Sequence, residues 1–291
     1  MKGSAKKLTP KAVVLIAAAL GLLLIALRVY QSFTLIDPAT GFFTDHKNFT
    51  VLPSYILAVG IAALIPLLSY LTPLSRAEYI AAAKRPVHAL GCLAMAAGVG
   101  AETVSLFSSG ERTRLSIVTM AIGAVAFVAL LVCFAAFLTG KELIKKARIL
   151  FVFPAAWGLC KTISYFSFYT SYIKTSALLL AIFADVFLMV FLFEYGKKIT
   201  GLGGDGNSPA YLSTALVCAV LQCAASVTGI AGVVLKTEFL YTPFAYYRIA
   251  AALFCVTAVG VFLKNNVPDY EPKKEIETHP LSAEDDKNGA V

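Results

Sequence analysis

A few charged side chains in this sequence stand where everything around them is apolar. Lys161 lies within ILFVFPAAWGLCKTISYFSFY and Asp185 within TSALLLAIFADVFLMVFLF, two runs long enough to cross a bilayer. A lone charge at the membrane centre costs about 2.5–3.5 kcal/mol on an insertion scale, so each needs a partner or a task. The joint between the runs falls near residues 171–174, about eleven residues after Lys161 and about twelve before Asp185. At roughly 1.5 Å of rise per residue, both reach the same depth. The spacing predicts that Lys161 and Asp185 pair near the midplane, with Gln222 of a later run in the same layer. Two chemistries fit that pair. One is a static ion pair that fixes the register of two helices. The other is a site for a polar ligand or a proton, with Asp185 loading and releasing it.

The face of the helix that carries Lys161 also carries Trp157, Ser164, Tyr165 and Phe168, at i−4, i+3, i+4 and i+7. That is an aromatic wall with hydroxyls, suited to lining a ligand site and equally to packing a core. A second polar layer is predicted from Arg28, Glu102 and Arg248. Each lies about one and a half turns from the outer end of its run, so the three meet if the first, third and eighth spans are neighbours. One carboxylate between two guanidiniums leaves a positive balance, which would suit a small anionic or zwitterionic molecule held by a bidentate arginine. The competing reading is that the arginines snorkel to the headgroups.

Other chemistries find no residues to carry them. There is no H-E-x-x-H, and of the three histidines only His88 lies near a span, while His46 falls in an outer loop and His279 in the tail. The chain is therefore read as a non-enzyme, with no metal and no cofactor. All six cysteines, at 92, 133, 160, 218, 223 and 255, fall in apolar runs and read as small packing residues rather than a disulfide framework. Gly201, Gly203 and Gly206 match G-x-G-x-x-G, but they trail a membrane helix instead of opening one after a strand, so they read as a flexible connector. The net charge of +8 is distributed in blocks beside apolar runs and offers no basic face for a nucleic acid.

The elements that must position these residues are membrane spans. The 291 residues are 58% hydrophobic and 14% charged, with mean hydropathy +0.77, too few charges to coat a soluble domain of this size. The pattern predicts an all-α polytopic transmembrane helix bundle of about eight spans, near 12–33, 51–71, 87–107, 115–138, 149–170, 175–195, 210–234 and 244–263, making one helical domain over 1–264. A polar, proline-bearing tail over 265–291 has too little apolar content to bury and is expected to be disordered. The first run is too long for a signal-peptide core and reads as an uncleaved span. Pro66 inside the second span predicts a kink. In the third, Gly91, Met95, Gly98, Glu102 and Ser105 repeat at four, three, four and three, a narrow face that a neighbouring backbone can approach closely. Blocks such as Lys2, Lys6, Lys7 and Lys11, or Lys145, Lys146 and Arg148, alternate with outer loops holding only Lys47, Arg112, Arg114, Lys174 and Lys236. The positive-inside rule then places both termini in the cytoplasm. Asn48-Phe49-Thr50 matches a glycosylation acceptor but abuts a span and reads as coincidence.

The stretch Ile36-Asp37-Pro38-Ala39-Thr40-Gly41-Phe42-Phe43, just after the first span, resembles a phrase found in uncharacterised bacterial multi-pass membrane proteins. The resemblance implies a bacterial inner (cell) membrane and brings no activity with it. The sequence thus leads to an integral protein of the lipid bilayer, transporter-like, binding a small polar or anionic solute between helices. The other reading is a non-transporting sensor or accessory subunit whose tail recruits a partner.

Overall fold

The computed structural model describes residues 8–37, 43–44, 49–72, 84–109, 113–171, 176–202, 208–235 and 246–265. Its helices are α1 (Pro10–Thr34), α2 (Val51–Leu71), α3 (Pro86–Ser108), α4 (Arg114–Thr139), the single turn α5 (Leu143–Lys146), α6 (Phe153–Ser171), α7 (Ser176–Thr200), α8 (Ser208–Leu235) and α9 (Tyr246–Asn265). Eight segments are long and apolar enough to cross a membrane, which makes the chain a multi-pass helical membrane protein. Among the described residues the only extended pairing is an isolated bridge between Ile36 and Phe43. A helix suits this environment because it satisfies its own backbone groups where no water can.

Local chemistry fixes several ends. Thr9 and Thr113 cap α1 and α4, their hydroxyls accepting from the amides of Ala12 and Ser116. Pro10 and Pro86 occupy first turns, where a missing N–H costs nothing. Gly140 closes α4 at φ 75°, a conformation that favours glycine. The fifth span differs from the expected single helix over 149–170. A 3₁₀ turn over Arg148–Val152 precedes α6, and Pro154 sits at the junction, where its ring tolerates a first turn but no continuation backwards. Helix α7 runs to Thr200, past the expected end at 195, so Lys197 and Lys198 form its basic last turn. Helix α2 is continuous through Pro66. Helix α9 includes Asn265. The rest of the tail, Pro38 to Phe42, Arg76, Asn48 of the glycosylation triplet, and Gly203 and Gly206 all lie outside the described residues.

Six helices form a closed circuit of neighbours: α3 packs on α4, α4 on α6, α6 on α7, α7 on α8, α8 on α9, and α9 back on α3. Helices α1 and α2 pack on each other and both on α8, so this hairpin stands beside the circuit. The interior is built of Trp157, Phe137, Phe191, Tyr211, Tyr247 and Phe254. The small-residue face of α3 meets α9. A Cβ added at Gly98 would lie 2.8 Å from the Tyr247 Cα, and one at Gly91 would overlap the Thr257 hydroxyl. The close approach of α3 and α9 therefore requires glycine at both positions.

Candidate functional site

Helix α7 places Asp185 inside the circuit and α9 places Arg248 opposite it. Arg248 Nη1 donates to Asp185 Oδ1 and Nη2 to Oδ2, both at 3.1 Å, a bidentate pair with side chains 4% and 1% exposed. Gln222 of α8 donates from Nε2 to the same Oδ1 at 3.1 Å, and also to the Ala184 carbonyl. Its Oε1 accepts from Arg248 Nη1 at 3.2 Å. The Tyr247 hydroxyl lies 3.1 and 3.0 Å from the two carboxylate oxygens. A carboxylate offers about four acceptor sites, and here each is engaged. Asp185, Arg248, Gln222 and Tyr247 thus form a knot between α7, α8 and α9 with the carboxylate at its centre.

The expected ion pair between Lys161 and Asp185 is therefore corrected. Lys161 of α6 pairs instead with Glu102 of α3, an ion pair whose side chains are 7% and 20% exposed. The ammonium also lies 5.0 Å from the centroid of Tyr165 and 5.6 Å from that of Tyr247. Arg248 shares the same two rings, at 5.2 and 5.1 Å. The two layers expected from the spacing, Lys161 with Asp185 and Glu102 with Arg248, are one layer in the structure, and the neighbours around the circuit decide which pairs form.

The expected meeting of Arg28, Glu102 and Arg248 is likewise corrected. Glu102 and Arg248 do enter one cluster, joined to Lys161, Asp185 and Gln222. Arg28 does not, because α1 packs on α2 and α8. Arg28 is buried and donates to Gln31 Oε1 at 3.1 Å, and Gln31 in turn donates to the Thr50 carbonyl at 2.9 Å, tying α1 to the start of α2. Neither arginine snorkels, since both are buried.

Trp157 is fully buried one turn before Lys161, edge-on to the Tyr247 ring at 5.4 Å. Its indole nitrogen has no hydrogen-bond partner among the described residues, and it lies 3.4 Å from where a Cβ on Gly123 of α4 would stand. Tyr165 is half-buried beneath both cations. The Ser164 hydroxyl is spent on the Cys160 carbonyl at 2.9 Å, so it adds nothing to the wall, and the side chain of Phe168 lies outside the described set.

Tyr247 escaped the sequence reading. It stands beside Arg248 at the start of a span, a place where tyrosine usually marks the headgroup level. A second buried polar group also escaped it, at the other end of the circuit. His88 Nε2 is 2.9 Å from the Tyr195 hydroxyl and Nδ1 is 3.2 Å from the Thr257 hydroxyl. The sulfurs of Cys92 and Cys133 lie 3.7 and 4.0 Å from the same Tyr195 oxygen. Phe137 meets the imidazole edge-on at 4.6 Å and Phe254 stacks on it at 5.7 Å. These contacts cross-link α3, α4, α7 and α9. No group of three or more His, Cys, Asp or Glu poised for a metal occurs among the described residues, and the six cysteines are free thiols.

Comparison with protein-family models, with curated proteins and with solved structures finds no match.

Proposed function

We propose that the protein binds a small polar solute between its helices and passes it across the bilayer, with Lys161 and Glu102 as the residues that exchange partners. The observation that carries this reading is the inequality between the two ion pairs. The carboxylate of Asp185 is filled by Arg248, Gln222 and Tyr247, and Arg248 is held to it by a bidentate contact at 4% exposure, so this pair is closed to a ligand from outside. Lys161 has one oxygen partner and two aromatic faces for an ammonium that carries three donors, and its partner Glu102 is the most exposed charged group of the cluster. An acceptor-bearing solute can take over part of the coordination of Lys161 without leaving a bare charge in oil. The closed pair supplies the rigid wall against which that exchange occurs.

Uptake into proteoliposomes tests the reading. Wild-type protein should accumulate a labelled solute from a mixed panel of amino acids, organic acids and nucleosides, and Lys161→Met should lower its initial rate at least tenfold while the helical content is retained. Unchanged uptake in Lys161→Met removes the pair from the mechanism. Protein that folds, binds none of the panel and moves none of it supports a sensor or accessory role instead.

A further inference from the structure

We infer that the solute of this site is a small zwitterion of the α-amino-acid or betaine type, carrying a carboxylate and an ammonium one or two carbons apart. The inference rests on the proposed solute-binding role of Lys161 and Glu102, and adds the chemical class. Glu102 and Asp185 face Lys161 and Arg248 in one buried layer, two anions against two cations, so the layer is neutral as it stands. A net anion or net cation entering it would leave one charge uncompensated where water is scarce, whereas a zwitterion adds equal and opposite charges.

Lys161 has one ion-pair partner and two aromatic faces for three donors, and so receives the carboxylate. Glu102 is the anion with exposed surface, and so receives the ammonium. The faces of Tyr165 and Tyr247 already accept the charge of Lys161 at 5.0 and 5.6 Å, and such faces accept a ligand ammonium by the same electrostatics. Lys161 and Glu102 are in direct contact, so a molecule that inserts between them must itself carry its charges close together. A long diamine or dicarboxylate cannot do so. Asp185 is excluded from the exchange because Arg248, Gln222 and Tyr247 fill its acceptor sites, and Arg248 because it is committed to that carboxylate in a site 4% exposed.

Thermal unfolding of the purified full chain in detergent tests the class. The probes are L-alanine, L-leucine, L-phenylalanine and glycine betaine, each set against the matching amine without the carboxylate and the matching acid without the ammonium, at about 1 mM to stay below non-specific osmolyte effects. The inference expects a saturable rise in Tm from at least one zwitterion, with no rise from its amine or its acid, and loss of that rise in both Glu102→Gln and Lys161→Met. A rise from the acids alone, lost in Lys161→Met, overturns the zwitterion class while leaving solute binding at Lys161 in place. A rise from neither the zwitterions nor the acids, in protein that unfolds cooperatively, overturns both. The wild-type response to the three kinds of probe decides the matter even if a variant fails to fold.

Discussion

Asp185 and Glu102 bear the same carboxylate and meet the same kind of cation, yet their surroundings give them different tasks. Removing the charge of Asp185 strands Arg248 in a site 4% exposed, so Asp185→Asn should cost about 3–5 kcal/mol of stability. Replacing both, Asp185→Leu with Arg248→Met, should recover much of that loss, because an apolar pair leaves no charge behind. Denaturant titration in detergent compares the three, and a double variant no more stable than Asp185→Asn would deny the pair its role as a brace. Glu102→Gln should cost less, about 1–2 kcal/mol, since the amide still accepts from Lys161 and the position reaches its surroundings. At this scale the sequence disclosed which residues matter better than whom they touch. Lys161, Asp185, Gln222, Glu102 and Arg248 were all visible as polar groups in apolar runs. Tyr247 was not, because a tyrosine at the head of a span looks the same whether it faces lipid headgroups or a buried aspartate.

The seam between α3 and α9 is what brings Glu102, Tyr247 and Arg248 together, and glycine makes it possible. Gly98→Val should push α3 away from the Tyr247 backbone and destabilise by about 1–3 kcal/mol, with solute binding lost alongside. Gly60→Ala in α2 is the contrast, because a Cβ there meets nothing within 4 Å, and it should be neutral or stabilising by up to about 1 kcal/mol. Equal losses in the two would mean that the seam is not close-packed. The helices themselves were legible because a span of about twenty apolar residues has few alternatives in a bilayer. The α3 glycine spacing also revealed that some neighbour approaches closely, though not that it is α9. Counting residues along a helix gives axial depth only coarsely, since it sets Glu102 and Arg248 in a layer apart from Lys161 and Asp185, and the structure joins them. Which helices lie side by side depends on packing around the whole circuit, and one-dimensional spacing does not encode it. Spacing alone therefore matches Lys161 with Asp185 in place of Glu102, and groups Arg28 with α3 and α9 although α1 packs on α2 and α8.

Taken whole, the molecule places two polar layers within one six-helix circuit, with the α1–α2 hairpin braced against α8. Asp185 and Tyr195 are ten residues apart on α7, so at roughly 1.5 Å per residue the charged layer and the His88 layer stand about 15 Å apart along the helices. The His88, Thr257 and Tyr195 contacts hold α3, α7 and α9 together at the end away from Glu102. The basic blocks propose that the end carrying Glu102 faces outward and that both termini face the cytoplasm. Protease-cleavable tags at residues 1 and 291 should then be protected in intact cells and cut only after lysis, and cleavage of either from outside would reverse the assignment. The central claim is that the Lys161–Glu102 half of the charged layer is open to solute while the Asp185–Arg248 half is sealed. The most direct measurement is the rate at which a membrane-impermeant, water-soluble thiol reagent modifies Glu102→Cys, with the native free cysteines as the internal blank. Rapid modification of Glu102→Cys, slowed by the solute that raises Tm, is the expected result. A thiol at position 102 that reacts only with lipid-soluble reagents, at a rate no solute changes, would contradict it.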